Sequence, residues 1–207
     1  MPKTVMVTGA NGYVRNNLAK ELVGRGYHVR AFVRDARDDS KTAHLAQAGI
    51  TDITSLDVCD VDNFAAASQG VDILFHCAAT YRYYTGSAKA DEKMARDSIE
   101  GASAAIRAAH SNGISKVVLT SSVVTLPVME RGAAAAAEDD WRTDLKVPYM
   151  RAKVLAEKDA WRLSKELGAI IGPGFLKRQV RVARSRSRRG GIRLDPPLGG
   201  LYCTERG

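Results

Sequence analysis

Short apolar runs rich in β-branched side chains and bounded by turn residues alternate with helical patterns through the first 170 residues of the chain. The runs predict strands at Thr4–Val7, His28–Val33, Asp52–Leu56, Asp72–His76 and Lys116–Thr120. Between and after them, helical spacing predicts helices at Gly12–Arg25, Lys41–Ala48, Val61–Ser68, Ala88–His110 and Pro148–Leu167. Strands joined through helices run parallel, so the pattern predicts an α/β fold: a doubly wound parallel sheet with both faces covered. Right-handed crossovers then put a ligand site at the carboxyl ends of the strands, where their order reverses. The alanine-rich stretch Arg131–Ala137 reads as a loop or a short helix.

Chemistry first enters at the end of the first strand, where Thr8-Gly9-Ala10-Asn11-Gly12-Tyr13 leads into a helix. In that context a glycine turn holds a pyrophosphate through backbone amides and the positive end of the helix dipole, which makes Gly9, Asn11, Gly12 and Tyr13 candidate nucleotide contacts. About twenty residues further on, Val33-Arg34-Asp35 puts a guanidinium where an acid would read a ribose or an arginine a 2′-phosphate. Arg34 therefore argues for NADP over NAD, with Asp35 blurring the preference and NAD still possible. Lys41 is either a second cation at that phosphate or a solvated lysine at a helix start. After the third strand, Asp57 and its neighbour Val58 are placed to meet the adenine edge, the alternative for Asp57 being a turn or cap.

The second centre of chemistry is Tyr149 and Lys153, four apart on a predicted helix and downstream of Thr120-Ser121-Ser122 at the end of a strand. Residues at that spacing share a helix face, so the ammonium can stand beneath the phenol and favour its ionised form. A neighbouring cation lowers a phenol pKa from about 10 toward neutrality, the range in which proton transfer is efficient. The spacing alone is common; its order after the glycine turn and the serine strand gives it weight.

Composition narrows the class. With 207 residues, 45% hydrophobic and 26% charged, the chain is long enough for a sizeable core. The opening MPKTVMVTG runs straight into a strand, and no apolar run approaches the ~18 residues of a membrane helix, so the expected compartment is the cytoplasm. Cys59, Cys77 and Cys203 show neither metal-ligand spacing nor a disulfide framework, and the first two read as buried free thiols. The net charge of +8 suggests nucleic acid until it is mapped: residues 175–207 hold nine Lys/Arg against two acids, leaving +1 on residues 1–174. The tail lacks aromatic platforms or a reading motif, which makes nucleic acid an unlikely partner.

Taken together, TGANGYV, VRAFVRD, LDVCD, HCAAT, VVLTSS, EDDW and YMRAKVLAEKDAW resemble the extended short-chain dehydrogenases/reductases of the NAD-dependent epimerase/dehydratase superfamily, in particular their dihydroflavonol reductase and cinnamoyl-CoA reductase branch. The resemblance covers about residues 3–168. It implies a Rossmann domain with a smaller substrate domain, and hydride transfer between NADPH and a small carbonyl or alcohol. It also implies that Ser122 hydrogen-bonds the substrate carbonyl, Tyr149 supplies its proton, and Lys153 binds the nicotinamide ribose while tuning Tyr149. Ser121 is left to cap or pack. Cys77, Ala78 and Ala79 match the family's stretch along the cofactor, against the plainer reading of core packing. A homodimer through helices matching Ala88–His110 and Pro148–Leu167 is a further implication. Tyr81, Tyr83 and Tyr84 are candidates to line a substrate pocket.

The chain departs from the family pattern twice. Arg15 stands where the fingerprint has its third glycine; the side chain either swings out and shifts the helix, or enters the pyrophosphate site. After Leu167 the sixth-strand region, near 168–172, is shortened by about eight residues, more than a usual strand. Beyond Lys177 the sequence VRVARSRSRRGGIRLDPPLGG has no apolar periodicity. The expected organisation is a nucleotide-binding domain over 1–174 and a basic, disordered tail over 175–207, with the substrate domain largely missing through an altered or frameshifted terminus. The expected function is an NADPH-dependent oxidoreductase with impaired substrate recognition. The alternatives are a sugar-nucleotide epimerase or dehydratase and a catalytically inactive NAD(P)-binding remnant.

Overall fold

The computed structural model describes residues 2–79, 84–129, 136–137 and 139–167. Tyr81, Tyr83, most of the alanine-rich stretch, the shortened region after Leu167 and the basic tail with Cys203 lie outside the described residues. Five strands, β1 (Thr4–Thr8), β2 (His28–Val33), β3 (Asp52–Ser55), β4 (Ile73–His76) and β5 (Lys116–Leu119), form one sheet in the order β3-β2-β1-β4-β5. Every pairing is parallel. The order reverses between β1 and β4, which opens a crevice above the carboxyl ends of these two strands.

Alternation along each strand divides the core between two layers of helices. Val5, Val7, Val29, Ala31 and Val33 face α1 (Tyr13–Gly24) and α2 (Asp39–Ala46), meeting Ala19, Leu22 and Leu45. Met6, Phe32, Leu74, Val117 and Leu119 face the opposite layer, formed by α3 (Val61–Ala67), α4 (Ala88–Ser111) and α5 (Pro148–Glu166). The buried face of α4 carries Gly101, Ala102, Ala104, Ala105, Ala108 and Ala109. Small side chains bring its axis close to the sheet and to α5, which approaches with Ala156, Ala160 and Leu163. Ser103 donates to Asp159, and Arg151 pairs with Glu92 at 2.6 Å, tying α4 to α5 at two levels.

Local signals account for most helix ends. Asp60 accepts from the Asn63 amide at 2.9 Å to cap α3, Ser87 accepts from Ala90 at 3.2 Å to cap α4, and Pro148 begins α5 at a position where its missing N–H costs nothing. The second helix runs Asp39–Ala46 rather than Lys41–Ala48. Its entry is drawn back by Asp38, whose carbonyl accepts from the Lys41 amide, and its exit is set by Gly49 at φ +82, which turns the chain into β3. A short 3-10 turn at Val123–Thr125, which the apolar pattern does not signal, follows β5.

Phe64 is fully buried, with its ring 5.9 Å from that of His76. Phe64→Ala is expected to cost about 3–5 kcal/mol, read as a lower midpoint with unchanged slope in urea unfolding.

Candidate active site

The glycine turn is built by the backbone. The Ala10 amide donates to Phe32 O at 3.1 Å and the Gly12 amide to Gly9 O at 3.0 Å, folding the chain sharply out of β1. Gly9 sits at φ +67, in the left-handed region, and a Cβ on it would lie 3.1 Å from Ala78 Cα. Conformation and space both demand glycine there, because the loop after β1 touches the loop after β4. Gly12 precedes α1, whose first turn holds no acid and whose N-terminus has no side-chain cap. The first amides of α1 are thus available to an anion. Asn11 is half-buried beside this turn, while Tyr13 is 87% exposed at its outer edge.

Arg15 resolves the question posed by the missing third glycine. Its Nη1 lies 2.9 Å from the position of a Cβ on Gly12 and 3.2 Å from that of a Cβ on Gly9. The side chain has folded back across the turn instead of swinging out to solvent. A cation therefore lies where a diphosphate would approach the glycines.

Thr8 is a residue that pattern reading missed. Its buried hydroxyl accepts from the amides of Cys77 and Ala78 at 3.0 and 3.1 Å, and stands 3.2 Å from His76 Nδ1. With two donors already received, the hydroxyl's own hydrogen goes to Nδ1, leaving the His76 proton on Nε2. The signal was present in the sequence as the threonine before the first glycine, but nothing local marks its partner 68 residues away. Burial, then the charges of Lys153 and Arg15, push the His76 pKa down to about 3. Burial likewise raises the Cys77 thiol, which leaves it protonated and inert.

Along α5, Tyr149, Lys153 and Glu157 follow one another at four-residue intervals on the face turned toward β5. Tyr149 is 5% exposed. Lys153 Nζ donates to Thr120 O at 3.1 Å, and burial followed by the Arg15 charge lowers its pKa, with Cys77 and Glu157 acting the other way. Val14, Arg15, Ala79, Thr120, Ser121, Tyr149 and Lys153 line a cleft of about 180 Å³. A smaller cavity of about 30 Å³ adjoins it, where His76, Ala78 and Glu157 join Ser121 and Lys153.

The two serines divide their roles in an instructive way. Ser121 lines both cavities and donates its hydroxyl to the buried Glu157 carboxylate. Ser122 begins the 3-10 turn, where its hydroxyl accepts from the Val124 amide at 3.4 Å and it does not line the cleft. Arg142 secures this turn, its Nε donating to Val124 O at 2.7 Å and its amide to Thr125 O at 2.8 Å.

The remaining candidates stand along the β2 edge. Arg34 is exposed, and no described residue pairs with its guanidinium. Asp35 is engaged by Arg37 at 3.1 Å, which lowers its carboxyl pKa. Lys41 is paired with Asp38, the contact that raises the lysine's pKa. The Asp57 carboxylate accepts from the Cys59 amide at 3.0 Å, closing its own turn, and the Val58 side chain packs toward Gly101 of α4. Tyr84 is 65% exposed.

Residues 5–173 match the NAD dependent epimerase/dehydratase family, and the chain belongs to it. The chain is 31% identical over 178 residues to an anthocyanidin reductase of Vitis vinifera, covering 79% of this chain and 52% of that one. It is 33% identical over 177 residues to cinnamoyl-CoA reductase 1 of Arabidopsis thaliana, covering 80% and 49%. Among solved structures, that of gox2253 superposes with a TM-score of 0.68 at 32% identity, over 83% of this chain and 50% of its own. Vestitone reductase from alfalfa (Medicago sativa) gives 0.65 at 25%, over 81% and 54%. The chain spans about half the length of the curated relatives it matches. No helix among the described residues is long and apolar enough to cross a membrane.

His76 makes stability depend on pH in a defined direction. Its folded pKa of about 3 lies below the ordinary 6.5, so as pH falls the unfolded chain binds a proton that the folded chain refuses. Stability is full above 6.5 and is lost progressively toward 3, by on the order of 3 kcal/mol between pH 7 and 4. Urea unfolding across that range should show the loss, and His76→Asn should flatten it.

Proposed function

We propose that the chain carries the cofactor and proton-transfer half of an NADP-dependent oxidoreductase that interconverts a small carbonyl compound and its alcohol. The observation carrying this reading is that Tyr149 and Lys153, on successive turns of α5, wall one cleft with Arg15 beside the glycine turn. A dinucleotide fits the donor set in two respects: Gly9 leaves room that a Cβ would fill, and α1 presents uncapped amides. Gly9, Asn11, Gly12 and Tyr13 would hold the diphosphate once Arg15 withdraws, Ala78 and Ala79 would border the cofactor, and Arg34 would meet a 2′-phosphate. When bound, the cofactor supplies the hydride.

The chain's own residues supply the proton and the charge control. Tyr149 gives its phenolic proton to the carbonyl oxygen as charge builds there, and the Lys153 ammonium steadies the resulting phenolate. A serine hydroxyl orients the carbonyl: Ser122 by family position, with Ser121 the one that lines the cleft. The names of relatives at 31–33% identity, all reductases, support carbonyl reduction over epimerisation. One observation favours a second reading, a nucleotide binder without turnover: the Arg15 guanidinium lies across the glycine turn.

NADPH oxidation across a panel of aldehydes and ketones separates the two. Turnover that falls at least about 100-fold in Tyr149→Phe, with NADPH affinity unchanged, supports the enzyme; binding without turnover in the parent chain supports the binder. Purified protein carrying stoichiometric NAD would instead favour an epimerase or dehydratase. Arg34→Gln is expected to weaken NADPH by about 10- to 100-fold while leaving NADH unchanged, since loss of one charged hydrogen bond costs about 1.5–3 kcal/mol. Titration calorimetry with both cofactors measures this directly.

A further inference from the structure

The cleft beside the glycine turn has an electrostatic imbalance that its size makes specific. Arg15 and Lys153 line it from different helices, and no carboxylate is among the described residues that do so. Arg15 lies in the first turn of α1, where the helix dipole is positive, and that turn contains no acid to offset it. Among the described residues no hydrogen bond or ion pair engages the guanidinium, which rests against the bare Gly9–Gly12 turn. Lys153 has Glu157 nearby in the adjoining cavity, yet the Arg15 charge still disfavours its protonation. Two cations facing a shared space, with uncapped amides at one side, are relieved by an anion between them.

The volume limits what that anion can be. About 180 Å³ falls below the roughly 300–1,000 Å³ of sites that take drug-sized ligands, and Arg15 itself fills the approach to the glycines. A single tetrahedral oxyanion fits this space; a whole dinucleotide requires Arg15 to leave it. The remaining polar lining is the Tyr149 phenol and the Ser121 hydroxyl, whose hydrogen is already given to Glu157, so the charge that would hold an anion comes from Arg15 and Lys153.

We propose that Arg15 and Lys153 form a two-cation seat for a small phosphate-class oxyanion, which occupies the cleft on its own and competes with the diphosphate of a dinucleotide. The seat lies in the same cleft as the oxidoreductase reading, and its dinucleotide arm rests on that reading; binding of free phosphate does not. Arg15 is then a residue that exchanges ligand size: it holds a phosphate in place, and its removal trades the small anion for the larger cofactor.

Calorimetric titration of the full chain with inorganic phosphate, at ionic strength matched with chloride, tests the seat. Phosphate should bind the parent chain and the Arg107→Gln control, which lies exposed on α4, equally well. Affinity should fall at least tenfold in Arg15→Gln. NADPH should move oppositely, binding at least tenfold tighter to Arg15→Gly than to the parent. Equal phosphate affinity in the parent and Arg15→Gln, or no phosphate binding by the parent, overturns the proposal. If the variants fail to fold, amide chemical shifts of the parent chain decide: phosphate must move Gly12 to Arg15 together with Lys153, and shifts confined elsewhere overturn the seat. Phosphate binding that depends on Arg15, with NADPH binding neither protein, supports the seat and removes the oxidoreductase reading; the reverse pattern removes the seat alone.

Discussion

The hydroxyl of Thr8 joins the two strand ends on either side of the crevice. Because β1 and β4 are neighbours whose connections depart in opposite directions, their terminal backbone amides face a gap that no third strand fills. The Cys77 and Ala78 amides there are satisfied by one buried oxygen, which also fixes the His76 tautomer. This small network brings the loop after β4 against Gly9, where a Cβ would lie 3.1 Å from Ala78 Cα on a backbone already at φ +67. The glycine turn, the neutral His76 and the rear wall of the cleft all depend on it.

Charge around the cleft is arranged against the same background of burial. Lys153 is held by a backbone carbonyl at Thr120 and lies one helical turn from Glu157, so its cost of desolvation is partly offset. Glu157 in turn receives Ser121, whose place on the strand end is fixed by β5. Arg15 adds a positive charge from the opposite wall and depresses protonation of both Lys153 and His76. The acid–base properties of α5 are therefore linked to the identity of a residue on α1, more than a hundred positions away in the chain.

Legibility in the sequence followed the range of the interactions involved. Strands β1 and β2 and the helices α4 and α5 were readable because burial on both faces, or at helical spacing, writes a period into the chain. Boundaries shifted where a backbone turn rather than an apolar pattern decided them, as the Asp38 carbonyl does for α2. The 3-10 turn after β5 leaves no mark in the apolar pattern because polar contacts hold it: Ser122 accepts from Val124 and Thr125 within the turn, and Arg142 donates to it twice from a separate segment. Asp57 and Lys41 illustrate a related limit: each has a local partner that the residue type alone could not distinguish from a ligand.

By itself the sequence determined the parallel α/β architecture, the glycine turn and the shared helix face of Tyr149 and Lys153, since each follows from spacing within a single element or from its neighbours. Only the tertiary structure decided which way Arg15 points, which of Ser121 and Ser122 meets the cleft, and that Thr8 and Glu157 take part. Those outcomes arise from packing between segments tens to more than a hundred residues apart, where side-chain direction depends on the space and charge that other elements leave, and no periodicity in the chain encodes it.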